Sequence, residues 1–398
     1  MKALHIFGDS KYGGAAKNMI HLAKSLNSNG WDVRILTSDP VFQNAAREAR
    51  IGYVGLDCIW REIRPLRDLL GLWRVWRFLR AGGFTVVHTH TTKAGFIGRI
   101  AARLAGVPII LHTVHGFAFH ERSSRVKIGF YTLLETVAAR CCHRIVTVSQ
   151  FHRSWALELG IAPAEKLEAI PNGVPNLRAA GASRGEIRTG LSLTEDDFLV
   201  FTPGRLAPEK GLETLLAALA LARNRVSRPV CLALAGVGPL RSALERQTRR
   251  LGLTDHVRFL GFRSDIAELL RGADLVVLPS VREGLSIALL EAMSAGRAIL
   301  ATSIGSNREA LGDSHRAAIL IQSEDPRALA EGMVLLAENP ALRQRLGAEA
   351  RRRWEQAYTI ERSLLAYRES YRNLLERHCP ERGEERHGKT LREGIEFR

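Results

Sequence analysis

Eleven short runs rich in β-branched and aliphatic residues alternate with longer stretches of helical apolar spacing, and this rhythm constrains the fold more than any other feature. In the first half the strand-like runs are "ALHIF", "DVRIL", "FTVVH", "PIILHT" and "RIVTVS"; in the second they are "FLVFT", "VCLALAG", "VRFLG", "DLVVLP", "AILAT" and "AAILI". Strand-helix alternation requires parallel sheets covered by helices on both faces, so the expected class is α/β. At 398 residues the chain exceeds the size of one hydrophobic core, so two doubly wound, Rossmann-like domains of about 180 residues follow. Ligand crevices in such domains lie at the carboxyl ends of the strands.

The boundaries predicted from these patterns are 1–178 for the first domain and 190–360 for the second, with 176–191, poor in large apolar residues, as the connection. A helix is expected over 361–378. The segment 379–398 mixes charges with glycine and has too few apolar residues to hold a fixed structure.

Too few apolar residues precede Gly8 for a signal-peptide core, and no run approaches the ~20 residues of a spanning helix. The chain is therefore expected in the cytoplasm. Cys58, Cys141, Cys142, Cys231 and Cys379 lack any C-x-x-C spacing, so neither a disulfide framework nor a zinc site is indicated. A net charge of +16 attracts phosphate-rich partners. The arginines are spread over many segments without an RNA-recognition or helix-turn-helix pattern, which ranks nucleic acid below nucleotide sugars and anionic lipid.

The candidate residues sit where strands give way to helices. Gly13 and Gly14 precede a helix expected near Ala15, whose amides suit a negative ligand. Histidines 88, 90, 112, 115 and 120 surround strand ends. His88 and His90 share a strand face with no acid or cysteine partner, which disfavours a metal. His112 is expected as a strand-face histidine, and His115, followed by Gly116, as ligand-facing.

In "FTPGRLAPEKG", Arg205 and Lys210 project from a strand-helix loop bounded by Gly204 and Gly211, a site for a diphosphate. "LAGVGPL" repeats the arrangement with Gly236 and Gly238. In "EGLSIALLEAM", Glu283 falls in the turn, and the helix is expected to begin near Leu285 or Ser286, aiming the amides of Gly284, Leu285 and Ser286 at a ligand. Glu291 follows about two turns later, roughly 8 to 10 Å along the axis. The two carboxylates then address different parts of one elongated ligand.

The segment "REIRPLRDLLGLWRVWRFLRAGGF" mixes Leu69, Leu72, Trp73, Trp76 and Phe78 with Arg61, Arg64, Arg67, Arg74, Arg77 and Arg80. The pattern suits an anionic membrane surface. An ordinary helix packing its Leu and Trp on a sheet is the competing account, favoured by the strand that follows at once.

In order, "GGA", "HGF", "IPNGV", "GRLAPEKG", "AGVGPL", "GF", "EGLSIALLEAM" and "AGRAILAT" resemble the retaining GT-B glycosyltransferases of family 4, which carry an E-x7-E signature. The run "VVHTHTTKAGFIGRIAARLAGVPIILHTVHGFAF" is similar to the branch that builds bacterial capsule, exopolysaccharide and O-antigen repeat units. The resemblance implies two domains facing across a cleft, the first binding the acceptor and the second the nucleotide sugar. It implies a hexosyl transfer with retention onto a glycan or polyprenyl-diphosphate-linked sugar, without a cofactor or a required divalent metal. The 361–378 helix would pack back on the first domain, and a lipid-linked acceptor makes peripheral contact with the inner face of the membrane an expectation.

Carried over residue by residue, the resemblance assigns Arg205 and Lys210 to the donor diphosphate and Glu291 to the ribose. Glu283, with Gly284, Leu285 and Ser286, would bind the donor sugar's hydroxyls and phosphate. Gly236 belongs to the donor site, as do Gly13 and Gly14, Gly14 meeting the diphosphate from the first domain. His115 would act near the reacting carbon. Arg205, Lys210, Glu283 and His115 form the catalytic set.

The sequence departs from the family pattern at Ala16, where an acid is usual and Lys17 follows, at Pro175, where Asp is usual, in "GDSHRAAILI", which lacks the glycine usual before the last strand, and in the loose loop "SIGSNREAL" with its acid at Glu309. On the same fold a sugar-nucleotide epimerase or a phosphorylase is the alternative enzyme, and a basic nucleic-acid-binding protein the alternative outside catalysis.

Overall fold

The computed structural model describes residues 1–8, 12–60, 64–120, 123–178 and 183–380. The expected tail from 381 onward and Arg61 lie outside the described residues. The chain divides into two compact units, Met1–Pro171 with Glu361–Arg398, and Asn172–Ile360.

The first unit carries strands β1 (Lys2–Gly8), β2 (Asp32–Thr37), β3 (Gly52–Val54), β4 (Val86–His90), β5 (Ile109–Val114), β6 (Arg144–Thr147) and β7 (Leu167–Ala169). They form one parallel sheet in the order β3-β2-β1-β4-β5-β6-β7. Its helices are α1 (Gly14–Asn27), α2 (Pro40–Glu48), α3 (Pro65–Gly82), α4 (Thr92–Leu104), α5 (Arg125–Ala139) and α6 (Gln150–Glu158). Two cores, one on each face, hold the sheet. One joins Ile6, Val87 and Ile110 to Val75 and Leu79 of α3 and Ala94 and Ile97 of α4. The other joins Phe7, Ile35 and Leu111 to Met19 and Leu22 of α1, Phe42 of α2, and Tyr367, Tyr371 and Leu374 near the chain's end.

The second unit carries β8 (Phe198–Pro203), β9 (Val230–Ala235), β10 (Val257–Gly261), β11 (Leu275–Leu278), β12 (Ala298–Thr302) and β13 (Ile319–Ile321) in a parallel sheet of order β10-β9-β8-β11-β12-β13. Around it run α7 (Arg184–Gly190), α8 (Leu212–Ala222), α9 (Arg241–Arg250), α10 (Ile266–Gly272), α11 (Ile287–Ser294), α12 (Gly305–Leu311), α13 (Pro326–Glu338) and α14 (Pro340–Ala357). Both β8 and β9 are buried along their whole length, which explains why their sequences read as continuous apolar runs rather than alternating ones.

Two local findings differ from the expectations. The stretch 176–191 includes α7, whose Ser183 and Glu186 form a reciprocal N-terminal cap. Ahead of it, Asn172 donates to the Leu285 carbonyl at 3.0 Å and Val174 pairs with Thr359, so this stretch is woven into the second unit. The last helix, α15 (Ile360–His378), belongs from Glu361 onward to the first unit. Its Ser363 hydroxyl donates to the Pro171 carbonyl at 2.8 Å. All five cysteines are free thiols. Among the described residues no helix is long and apolar enough to cross a membrane.

Candidate active site

In each sheet the strand order reverses once, between β1 and β4 in the first and between β8 and β11 in the second. The loops leaving these strands diverge to opposite faces and open a ligand crevice at the strand ends.

In the second unit the chain leaves β8 through Gly204, at φ +149°, and enters α8 through Gly211, at φ +64°. Both angles fall where a side chain would strain the backbone. Between them Arg205 pairs with Glu209 at 3.2 Å, and its Nε is shut off from solvent without a partner among the described residues. Lys210 reaches across the reversal point to Glu283, which follows β11, and the two form a half-buried ion pair. Ser280 donates to the same Glu283 oxygen at 2.8 Å, and Ser306 to the Glu283 carbonyl at 3.3 Å. Removing either charge would leave the other half-buried and uncompensated.

The loop after β9 is laced to the one after β8. Gly204 N–H donates to the Ala235 carbonyl at 2.9 Å, Leu206 N–H to Val237 at 3.1 Å and Leu240 N–H to Leu206 at 3.0 Å. A Cβ at Gly236 would stand 1.9 Å from the Gly204 carbonyl oxygen, and one at Gly238 2.2 Å from that of Leu206. Only glycine permits this approach, so Gly236 holds the Arg205 loop in place.

α11 starts later than expected. Ser286 is its N-cap, its hydroxyl accepting from Leu289 N–H at 3.4 Å, and the helix begins at Ile287. Gly284, Leu285 and Ser286 therefore lie buried in the turn, with the Leu285 carbonyl occupied by Asn172. The first helical amides belong to Ile287 and Ala288. Glu291 is half-buried in the second turn of α11.

In the first unit Gly13 is the N-cap of α1, with no side chain capping the helix. Gly14 opens the helix, and among the described residues no side chain caps its first amides. Beside it in the sheet, β4 ends in His90, and Thr91 follows at φ +60°, a conformation a β-branched residue adopts only under constraint.

His5, His88 and His90 each bring one ring nitrogen within 4.8 Å of the others. Their nitrogens are engaged: His5 Nδ1 with His90 Nε2 at 3.1 Å, His90 Nδ1 with His115 Nε2 at 3.1 Å, and His88 with Tyr371 Oη and Thr113 Oγ1, each at 2.7 Å. Each of these ring nitrogens thus has a hydrogen-bond partner among the described residues. His112 lies on the opposite face, bonded to Thr89 at 3.0 Å and packed where a Cβ on Gly95 would be 2.4 Å from its ring.

The Tyr371 hydroxyl lies 2.7 Å from His88 Nδ1 and 3.4 Å from His5 Nε2, so it bridges these two rings, and His5, His90 and His115 continue the chain ring to ring. The chain ends on His115 Nδ1, shut off from solvent with no partner among the described residues. Burial lowers the pKa of His5 to about 3 and of His115 to about 4, and burial first, then neighbouring histidines, pushes His88 and His90 well below the ordinary range. All four rings are neutral at pH 7.

The structure thus brings Arg205, Lys210, Gly236 and Glu283 together at one reversal point and sets Gly13, Gly14 and His115 on strand-end loops of the other unit. Sequence reasoning missed His5, Tyr371, Ser280 and Ser306. A signal existed for Tyr371: with Tyr367, Leu374 and Leu375 it makes one helical stripe.

Residues 13–173 match the family model "Glycosyl transferase 4-like domain", and residues 183–353 that of "Glycosyl transferases group 1". The chain is 34% identical over 252 residues to UDP-Gal:alpha-D-GlcNAc-diphosphoundecaprenol alpha-1,3-galactosyltransferase of Escherichia coli, a match covering 62% of this chain and 65% of that relative's length. It is 30% identical over 287 residues to EpsD of Bacillus subtilis (strain 168), named as a glycosyltransferase, covering 70% of this chain and 74% of that one. The crystal structure of Anabaena HepE in complex with UDP and glucose superposes with a TM-score of 0.80 at 24% identity, over 93% of this chain and 99% of that one. WaaG, a glycosyltransferase involved in lipopolysaccharide biosynthesis, superposes at 0.73 with 17% identity, over 92% and 98%. At these identities the two structures speak for the fold alone, which is GT-B. With two parallel-sheet units, each ending in polar strand-end loops, and with these matches, the chain belongs to the GT-B glycosyltransferases built from a 4-like domain followed by a group 1 domain.

Proposed function

We propose that the protein transfers a hexosyl group from a nucleotide-diphosphate sugar to a glycan or polyprenyl-diphosphate-linked sugar, with retention of anomeric configuration, in cell-surface polysaccharide synthesis. The observation that carries this is the set Arg205, Lys210 and Glu283 at the second unit's reversal point: two cations for a diphosphate and one carboxylate for sugar hydroxyls. The E. coli relative supports the acceptor class, since its name specifies a sugar on diphosphoundecaprenol. The HepE complex, holding UDP and glucose, supports the donor class.

In this reading the C1–O bond to the donor diphosphate breaks, the acceptor oxygen bonds to C1 on the same face, and its proton leaves on the departing diphosphate. Arg205 and Lys210 stabilise the charge developing on that diphosphate by preorganised electrostatics, with no divalent metal required. Lys210 is drawn partly away from Glu283 by the phosphates, freeing a carboxylate oxygen for the donor sugar. Glu291 takes the ribose hydroxyls. The α1 start at Gly13 and Gly14 meets the diphosphate, and the bare Nδ1 of His115 accepts a substrate hydroxyl near the reacting carbon. The protein works on the inner face of the cell membrane as a peripheral protein.

The test is an assay with nucleotide sugars and a short-chain polyprenyl-diphosphate-linked sugar. Proton NMR of the product should give the donor's anomeric configuration, and the rate should survive EDTA. Inversion would overturn the retaining mechanism, and loss of rate in EDTA, restored by a divalent ion, would overturn the metal-free one. A sugar-nucleotide isomer formed without acceptor would replace the transferase reading with an epimerase.

A further inference from the structure

We infer that α3 and α5 together form a docking face for an anionic lipid bilayer. The inference rests on the peripheral association proposed for this protein and names the surface responsible.

On α3, Leu66, Leu69, Leu70 and Trp73 follow one helical stripe, and all are exposed, Leu66 at 84% and Trp73 at 48%. The opposite stripe, Gly71, Val75 and Leu79, is buried. A Cβ at Gly71 would stand 2.0 Å from the Cys58 carbonyl oxygen, so close contact on that side fixes which stripe faces out. The segment divides the two accounts of its sequence between its faces: Leu72, Trp76 and Phe78 pack towards the core while Leu69 and Trp73 do not. α5 repeats the arrangement. Val126, Phe130, Leu133 and Val137 form an exposed stripe, Val126 at 83% and Leu133 at 62%, and Glu135, Ala138 and Ala139 are buried. Both helices pack against α4 between them.

Charge says what covers this face. α3 has one acid, Asp68, and α5 has one, Glu135. Both are turned onto α4: Asp68 pairs with Lys93 at 2.7 Å and buried Glu135 with Arg99 at 2.7 Å. No uncompensated carboxylate is left on either helix, while Arg67, Arg77 and Arg80 of α3 and Arg125 and Lys127 of α5 remain exposed. Arg77 lies over the Trp73 ring, 5.5 Å from its centroid. Apolar side chains interleaved with unopposed cations match an interface of acyl chains and anionic headgroups. A second copy is a poorer fit, because a self-complementary interface would set these cations against one another.

The test floats the full chain on vesicles of phosphatidylcholine alone or mixed with phosphatidylglycerol, comparing wild type with Leu69→Ser/Trp73→Ser, Phe130→Ser/Leu133→Ser and Arg67→Glu/Arg77→Glu. Circular dichroism and thermal melting check that each variant keeps its fold, as substitutions of exposed side chains should. Wild type should bind the anionic vesicles and scarcely the neutral ones, and each variant should bind about tenfold more weakly. If wild type does not float, the peripheral association itself fails. If wild type floats and the α3 and α5 variants float equally well, association stands and this face is not its cause. If instead light scattering shows a dimer that the variants convert to monomer with flotation unchanged, the face is a self-interface and the inference is overturned.

Discussion

At the first sheet's reversal point the polar groups are neutral rings linked by hydrogen bonds between Tyr371 and His115, whereas at the second they are opposite charges, Lys210 and Glu283, held half-buried together. The same topology therefore carries two different electrostatic devices. A neutral chain keeps its donors and acceptors in one order without placing charge in the sheet, at the cost of needing every link. An ion pair holds charge ready for an incoming diphosphate, at the cost of separating when the ligand arrives. The difference predicts that loss of a charge at the second reversal point shows in turnover, and loss of a link at the first in stability and in response to acid.

The largest effect expected is on turnover. Arg205→Ala should lower the transfer rate by about two to three orders of magnitude with the melting temperature nearly unchanged, measured as initial rates with an accepted donor. A rate equal to wild type would break the contrast at its charged end. Gly236→Ala should come next. Its Cβ would force the β8 and β9 loops apart and the residue itself into a conformation at φ +156° that alanine avoids, destabilising the second unit by about 3 kcal/mol in urea unfolding.

Acid should separate the units. His5 and His115 are neutral in the fold with pKa values of about 3 and about 4, against 6.5 when unfolded. Below 6.5 the unfolded chain takes up protons that the folded one refuses. The stabilisation they provide is thus complete above pH 6.5 and lost as pH falls towards 4, by about 2 kcal/mol per histidine near pH 5. Hydrogen exchange should show the first unit opening before the second across this window; simultaneous opening would remove the distinction. The smallest effect is that of Tyr371→Phe, which removes the hydroxyl that His88 Nδ1 meets at 2.7 Å. It should cost about 1–2 kcal/mol, read in urea unfolding.

What the sequence displayed of this arrangement is local. Strand, turn and helix are set by neighbouring residues, so all six strands of the second unit and the loop positions of Arg205, Lys210 and Glu283 were legible. The strands that escaped, β3 and β7, are three-residue edge strands, with Gly52 and Tyr53 exposed, and offer no apolar run. Lys210 meets Glu283 from 73 positions away, and Tyr371 meets His5 from 366 positions away. No periodicity reports such pairs, because only the sheet order brings them together. The start of α11, expected near Leu285 or Ser286, falls at Ile287 because the Ser286 hydroxyl supplies the acceptor that a helix needs at its first turn.

The position of α15 has a consequence for how the protein is made. Tyr367, Tyr371 and Leu374 complete a core whose strands begin at Lys2. Chains grow from the amino terminus at about 5–20 residues per second. The unit that emerges first is thus the last to close, its histidines waiting, while the whole of Asn172–Ile360 is synthesised, for a tyrosine that leaves the ribosome after it.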